Sequence, residues 1–290
     1  MAPTIDIIRH AIAEHNVLGS ELPDPGITVT GRRQLAVMQT RYLWGDDVVS
    51  IVSSPLKRAV DTAVFGIIPL VKDGMRIDLI PELQEINATP SSTGTSAREL
   101  LETYSYINFD ASALGEEWYL KGPDTPFAPD VAKVERRARK VRGLLRRIAS
   151  RAAERGETDA RIVVVTHGEF AHWLTEDFVG TGYHRNSGWA NTEIRSYQFA
   201  DLGAPDSEDV PLVETAASME RRRADPTTAV TALTDDERAR QKSIAAMRVQ
   251  YYARDYDDRR RRMREAPGPV AGKAEEDEED WEDEDDDDIW

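Results

Sequence analysis

The sequence of 290 residues predicts an α/β fold: a three-layer α/β/α sandwich with a mostly parallel central sheet. Two observations support this fold class. Short runs rich in valine and isoleucine alternate with helical patterns over residues 1–200, and the runs at residues 5–8, 48–52 and 162–165 are predominantly apolar. Continuous apolar runs are typical of parallel strands buried on both faces, so helices are expected on both sides of the sheet.

The predicted elements alternate along this part of the chain. Strands are expected at residues 5–8, 48–52, 77–80, 162–165 and 194–199. Helices are expected at residues 30–43, 56–65, 96–106 and 131–154. Glycine and proline mark residues 115–129 as an irregular loop in an insertion after the third strand, and residues 201–211 as the loop that closes the globular part.

The composition changes beyond residue 225. Residues 235–264 have a helical pattern, with ten basic residues and three aspartates from Arg238 to Arg264. From Glu275 to Asp288 there are 13 acidic residues and no basic one, which accounts for most of the net charge of −16. We therefore expect a globular domain at 1–225, a basic helical extension at 226–265 and an acidic disordered tail at 266–290.

The sequence also constrains the compartment. Cysteine is absent, which excludes disulfides and thiolate metal sites and fits a reducing environment. The first residues lack the basic and apolar regions of a secretory signal, and no apolar run approaches the length of a membrane span. We expect a protein of the cytoplasm, with the nucleus as the alternative, that has no membrane partner.

Two of the five histidines directly follow predicted strands. His10 ends Ile7-Ile8-Arg9-His10, and His167 ends Val164-Val165-Thr166-His167. Side chains just past the carboxyl ends of parallel strands line the ligand crevice of an open α/β sheet. A lone histidine there is more often a structural partner, but two in equivalent positions, one of them preceded by Arg9, favour a functional site.

Arg58 and Glu85 are expected at the same crevice. Ser53-Ser54-Pro55-Leu56-Lys57-Arg58-Ala59 follows the second strand and opens a helix, with Arg58 in the first turn. A lone arginine is ordinarily a solvated surface residue, but a guanidinium at such a crevice binds phosphate oxygens in a bidentate manner. Glu85 follows the third strand and can protonate a departing alkoxide, with Glu82 and Glu169 as competing carboxylates.

Five motifs, in this order, resemble those of the histidine phosphatase superfamily, the phosphoglycerate mutase-like proteins. They are Arg9-His10-Ala11 with Asn16, Thr28-Val29-Thr30-Gly31-Arg32-Arg33-Gln34, Ser53-Ser54-Pro55-Leu56-Lys57-Arg58-Ala59-Val60-Asp61-Thr62-Ala63, Leu83-Gln84-Glu85 and Val165-Thr166-His167-Gly168. One such motif is weak, whereas five in order and at similar spacing are strong. Residues 166–170 and 188–193 are most similar to a fungal branch of the family. The resemblance implies a phosphoglycerate mutase-like fold and makes residues 1–225 a histidine phosphatase-like catalytic domain.

The resemblance implies a role for each matching residue. The implied catalytic residues are His10, Glu85 and His167. The residues implied to bind the substrate phosphate are Arg9, Asn16, Arg58, Gly168 and, again, His167. His10 would accept the phosphoryl group, and Glu85 would protonate the leaving group and then activate water. No metal and no other cofactor is expected, because three cationic side chains already supply the positive charge.

Two positions depart from the family's pattern. Ala11 stands where glycine is usual, and Glu169 stands where relatives often have a small or apolar residue. Glu169 is an alternative acid, or a binding group for a cationic part of the substrate. His15, His172 and His184 carry no motif and are expected to be structural, with His15 and His184 lining the entrance of the crevice as the alternative.

Hydrolysis of phosphate monoesters, on a small phosphorylated metabolite, is the leading functional prediction. Phosphoglycerate mutase-type transfer is the alternative, but the insertion at 87–129 has only Arg98 and Lys121 as basic residues, which is poor for a polyanionic substrate. An interaction protein with incidental catalysis is a second alternative, with the C-terminal tail as the part that binds a protein partner. Nucleic-acid binding is not expected, because the acidic tail offsets the only basic patch.

Overall fold

The computed structural model describes residues 2–182, 187–205, 209–224 and 234–265. The strands in these ranges are β1 Thr4–Arg9, β2 Val48–Ser53, β3 Ile77–Leu79, β4 Phe109–Asp110, β5 Arg161–Thr166, β6 Ile194–Phe199 and β7 Leu212–Glu214. They form one sheet in the order β4-β3-β2-β5-β1-β6-β7. Strands β1 to β5 pair in parallel, whereas β6 is antiparallel to β1 and β7 is antiparallel to β6. The mostly parallel central sheet is confirmed.

The α-helices in the same ranges are α1 Glu14–Leu18, α2 Val29–Arg41, α3 Lys57–Thr62, α4 Ala97–Thr103, α5 Val131–Glu154, α6 Gly168–Thr175, α7 Ala216–Ala224 and α8 Asp235–Glu265. Polar side chains cap three of these helices. Thr28, Ser96 and Asp130 accept hydrogen bonds from backbone N–H groups in the first turns of α2, α4 and α5. Such caps satisfy amides that have no partner within the helix, so these helix starts are encoded locally.

Two apolar cores lie on opposite faces of the sheet. On one face, β1 residues such as Ile5 and Ile7 pack with buried residues of α5, α6 and α8. On the other face, Ile8 packs with buried residues of α2, α3 and α4. Adjacent strand residues thus point to different cores, as the period of a strand requires. This arrangement confirms the three-layer sandwich.

Strand β1 is also fixed by a buried carboxylate. Asp6 is fully buried, and Arg161 at the start of β5 donates to it at 2.8 Å. The hydroxyl groups of Tyr42 and Ser196 donate to the same carboxylate at 2.8 and 2.7 Å. A buried charge is tolerated when it is paired and hydrogen-bonded in this way. The contacts tie β1 to β5, β6 and the end of α2.

The structure differs from the sequence-based expectation in a few elements. The sequence did not predict the short strands β4 and β7 or the short helices α1 and α7. Because β4 comes before it, the strand that precedes His167 is the fifth along the chain and not the fourth. Residues 115–129 form no helix or strand, as expected. In the described part of the chain, we find no helix with the length and apolarity needed to cross a membrane.

The C-terminal helix α8 covers the predicted basic helical pattern and packs on the main body. Ala245 and Val249 of α8 are buried in the same core as α5 and α6. The division into three domains stays a prediction, and the acidic segment at 266–290 lies outside the described residues.

Candidate active site

The carboxyl ends of three neighbouring strands meet at one edge of the sheet. Arg9 of β1 pairs in register with Thr166 of β5, and Ser53 of β2 pairs with Val165 of β5. The residues that follow these strands therefore emerge within one residue of the same level. These next residues are His10, Ser54 and His167. The two histidines come together: their ring centroids are 5.2 Å apart, and both side chains are buried.

Hydrogen bonds fix the tautomer and the orientation of the His10 imidazole. Its Nδ1 lies 2.7 Å from the backbone oxygen of Ala11, a contact that assigns the ring proton to Nδ1. The lone pair is then on Nε2, which faces Nε of Arg58 at 3.3 Å. Burial, followed by the charge of Arg58, lowers the pKa of His10 well below its usual value. The ring is therefore neutral near neutral pH, and its unprotonated Nε2 accepts a hydrogen bond from Arg58.

Arg58 of α3 is fully buried beside that nitrogen. One guanidinium nitrogen donates to the backbone oxygen of Ser91 at 2.5 Å, and another donates to Oγ of Ser92 at 3.3 Å. Burial lowers the pKa of Arg58 to about 10, so the side chain remains charged at neutral pH. The short helical segment at residues 90–92 thus aligns the guanidinium against the nucleophile.

Arg9 and His167 supply further polar atoms to the same place. Arg9 donates through Nη1 to the backbone oxygen of Trp189. Its buried Nε, and the buried Nδ1 of His167, have no hydrogen-bond partner among the described residues. Nε2 of His167 lies 2.8 Å from Oγ of Ser54. A buried charged donor without an acceptor is costly unless a ligand supplies one, so this pocket suits an anion.

Glu85 lies where α6 begins. Its Oε1 accepts hydrogen bonds from the backbone N–H groups of Ile86 at 2.9 Å and Phe170 at 3.1 Å, and its Oε2 accepts from that of Glu169 at 3.4 Å. The competing Glu82 instead forms an ion pair with Lys140 of α5. The structure therefore brings Glu85, and not Glu82, to the amino end of the helix that follows His167.

Two buried cations support the segment that carries Glu85. Arg137 of α5 donates to the backbone oxygens of Glu82, at 3.0 Å, and of Gln84. Lys121 donates through Nζ to the backbone oxygen of Glu85 at 2.8 Å. Burial lowers the pKa of Lys121 well below its usual value. Lys121 was predicted only as a basic residue of the insertion, and its burial under Glu85 has no signal in the local sequence.

Position 168 requires a glycine because side chains of Ser187 and Arg9 lie very close to its backbone. A Cβ atom built on this residue would lie 2.2 Å from Oγ of Ser187 and 3.2 Å from Nε of Arg9. Only glycine lets the start of α6 come this close to Arg9 and to the segment around Ser187. The predicted phosphate-binding position is thus next to Arg9, in a space that admits no side chain.

Asn16 and His15 lie at the outer side of the nucleophile. Asn16 is exposed, and its Oδ1 accepts from the backbone N–H of Ala13 at 3.0 Å, so it stabilises the loop after His10. The His15 ring is 5.7 Å from that of His10. Burial, followed by the charges of Arg58 and Arg9, lowers the pKa of His15 to about 3. His15 therefore belongs to the wall of the site.

The remaining histidines are elsewhere. His172 is buried in α6, where its two ring nitrogens contact the backbone oxygens of Asp177 and Ser187. His184 lies outside the described residues.

Glu169, the second departure from the family's pattern, contacts Arg248 and Tyr252 of α8. The sequence did not indicate these two partners. Among the described residues, no group of three or more histidine or acidic side chains is placed to hold a metal ion.

The comparison with known proteins agrees with this geometry. The family model of the histidine phosphatase superfamily, branch 1, matches residues 5–204. Among curated protein sequences, none matches the chain significantly. Similar solved structures include mycobacterial hydrolase 1, with 18% identity, a TM-score of 0.47 and coverage of 74% of this chain and 98% of that one.

Two further solved structures have titles that describe phosphatases. The mycobacterial glucosyl-3-phosphoglycerate phosphatase has 17% identity and a TM-score of 0.44, over 74% of this chain and 97% of that one. A phosphoserine phosphatase mutant from Entamoeba histolytica, in complex with phosphoserine, has 20% identity and a TM-score of 0.40, over 74% of this chain and 95% of that one. The fungal branch stays a prediction. The family match spans residues 5–204, which is well over half of the chain. The chain therefore belongs to the histidine phosphatase superfamily, branch 1.

Proposed function

We propose that this protein is a phosphatase that hydrolyses the phosphate monoester of a small metabolite through a phosphohistidine at His10. One observation carries the proposal. The unprotonated Nε2 of His10 lies 3.3 Å from the guanidinium of Arg58, with the His167 ring 5.2 Å away from the His10 ring. A nucleophile and pre-placed cationic or polar groups around one small space are what phosphoryl transfer requires.

The first chemical step transfers the phosphoryl group. The substrate phosphate binds among Arg9, Arg58 and His167, and Nε2 of His10 attacks the phosphorus in line with the leaving oxygen. As the N–P bond forms, the P–O bond to the leaving group breaks. Glu85 gives its proton to the departing oxygen, which prevents release of a poorly stable alkoxide.

The second step reverses the direction of proton transfer. Glu85, now a carboxylate, removes a proton from a water molecule that attacks the phosphohistidine. The N–P bond breaks, inorganic phosphate leaves, and His10 and protonated Glu85 are restored. The two guanidiniums balance the phosphate charge in both steps.

The surroundings of the site favour hydrolysis over mutase chemistry. A mutase must grip a substrate with a second anionic group, which needs further free cations. The side chain of Arg98 is 88% exposed, and Lys121 is buried under Glu85. Arg248 contacts Glu169. None of these three basic residues extends the phosphate pocket toward a carboxylate.

Phosphate release provides the test. Wild type, His10→Ala and the exposed control Arg98→Ala are incubated with 4-nitrophenyl phosphate and with 3-phosphoglycerate. We expect wild type and the control to release free phosphate, and His10→Ala to lose at least about 10³-fold. A phosphoenzyme trapped from wild type should be labile in acid and stable in base. Transfer of phosphate within 3-phosphoglycerate without release would show a mutase, and unchanged release by His10→Ala would refute the proposal.

A further inference from the structure

Helix α8 contacts several of the segments that surround the active site. Arg248 donates to the backbone oxygen of Gly182 at 3.2 Å and contacts Glu169 of α6. Further along the helix, Arg259 forms an ion pair with Glu21, in the loop that follows α1, at 2.7 Å. α8 lies beyond residue 204, where the family match ends.

The carboxylate of Glu169 is bound chiefly by α8. Its Oε1 accepts hydrogen bonds from the guanidinium of Arg248 and from the hydroxyl of Tyr252, the latter at 2.7 Å. The charged or titratable groups facing Glu169 are Arg248 and Tyr252 from α8, Arg9 from β1 and Glu85 from the segment after β3. Both side chains of the Arg248–Glu169 pair are largely buried, at 14% and 13% exposure. A pair this sheltered from solvent is little screened by salt.

Glu169 is next to the residue that the proposed mechanism uses as proton donor. Its backbone N–H lies 3.4 Å from Oε2 of Glu85. Burial, followed by the charge of Glu85, raises the pKa of Glu169 to about 7, and Arg248 opposes this shift. The contacts of the Glu169 side chain therefore bear on the backbone group that donates to Oε2 of Glu85.

We propose that Arg248 is a positioning residue for the proton donor: by binding the Glu169 carboxylate, it fixes the first turn of α6, whose backbone N–H groups donate to Glu85. Tyr252 assists by donating to the same oxygen of Glu169. The proposal rests on the phosphatase function proposed above. Only Oε1 of Glu169 is engaged in this way; its buried Oε2 has no hydrogen-bond partner among the described residues.

Removal of Arg248 has a specific chemical consequence. Without the guanidinium, the Glu169 side chain loses a contact that fixes the first turn of α6, and Glu85 is less well aligned with the leaving oxygen. Protonation of the leaving group then becomes slower, while attack by His10 is unaffected. The defect should therefore depend on how much the leaving group needs a proton.

Two aryl phosphates separate this effect from general damage to the fold. Phenolate is a poor leaving group that needs protonation, whereas 4-nitrophenolate leaves readily without it. For Arg248→Ala, we expect kcat to fall about tenfold on phenyl phosphate and less than about twofold on 4-nitrophenyl phosphate. Arg248→Lys, which keeps the charge, should recover most of the loss. Arg240→Ala, at an exposed position of the same helix, is the matched control and should behave as wild type.

A double variant tests the link through Glu169. Adding Glu169→Gln to Arg248→Ala removes the other partner of the same contact, so kcat on phenyl phosphate should fall by less than about twofold beyond Arg248→Ala. Equal losses on both substrates, no loss at all, or a further additive loss in the double variant would overturn the role of Arg248 alone. Absence of phosphate release by wild type from either substrate would overturn the proposed function and this inference with it. If Arg248→Ala does not fold, Arg248→Gln, which removes the charge but keeps much of the side chain, serves the same comparison.

Discussion

Replacement of Arg58 should separate charge from geometry in the phosphate pocket. In wild type, the guanidinium is held by Ser91 at 2.5 Å and Ser92 at 3.3 Å, and its Nε faces His10 at 3.3 Å. Removing one such pre-placed donor from a transition state costs about 3–4 kcal/mol, so Arg58→Ala should lower kcat/KM about 10²–10³-fold. Arg58→Lys keeps a positive charge, but an ammonium group cannot contact Ser91, Ser92 and His10 at once as the guanidinium does. We therefore expect kcat/KM to fall about 10–10²-fold.

The same substitution should also lower stability, for a separate reason. Arg58→Ala leaves the backbone oxygen of Ser91 buried without its donor, at a cost of about 1–3 kcal/mol. It also removes a positive charge near Asp24, whose pKa burial already raises to about 6. The variant must therefore be assayed well below its own unfolding midpoint.

The assay is the initial rate of 4-nitrophenyl phosphate hydrolysis, with thermal unfolding measured on the same samples. Arg98→Ala, a substitution at an exposed arginine, is the control for loss of positive charge in general. A folded Arg58→Ala protein within about tenfold of wild-type kcat/KM would refute the assignment of Arg58 to the transition state. Full activity in Arg58→Lys would show that the alignment by residues 90–92 is irrelevant.

Two further predictions concern close packing and pH. Gly168→Ala should destabilise the protein by about 1–3 kcal/mol and reduce phosphate release, because the new Cβ would lie 2.2 Å from Oγ of Ser187. Gly143→Ala is the control, since its Cβ would meet only a flexible arginine end at 3.5 Å, and similar behaviour of both variants in thermal unfolding would contradict the reasoning. The folded-state pKa of His10 is well below that of the unfolded chain, so its contribution to stability is present above about pH 6.5 and is lost as the pH falls. In urea unfolding between about pH 7.5 and pH 5.5, wild type should lose about 1.4 kcal/mol more than His10→Asn, and parallel pH curves would argue against a neutral buried imidazole.

The principal elements of the fold are predictable because their signals are local. The strand at Ile194–Phe199 and the helix at Val131–Glu154 have the bounds expected from their periodicity. Strand β4 has two residues and β7 has three, too few to show an alternating pattern. Both lie at the edges of the sheet, where backbone pairing with a longer neighbour determines the strand and the side chains contribute little.

The residues of the site are likewise predictable only where their signals in the sequence are local. His10 and His167 follow strand ends directly, and Arg58 lies in the first turn of the helix after β2, so a rule about parallel sheets is enough to bring them together. Lys121 and Arg248 reach the neighbourhood of Glu85 through the packing of an irregular insertion and a distant helix. No spacing in the sequence encodes such contacts, since they depend on how these segments dock against the sheet.

The position of β1 has a consequence for how the chain is made. β1 leaves the ribosome long before its two neighbours in the sheet, β5 and β6, which begin at Arg161 and Ile194. Until those segments are synthesised, both edges of β1 lack their backbone partners and Asp6 lacks Arg161 and Ser196. Contacts between such distant parts of a chain form late and slowly. His10 is thus translated long before β5 and β6, and its surroundings are incomplete until both of these strands have been synthesised.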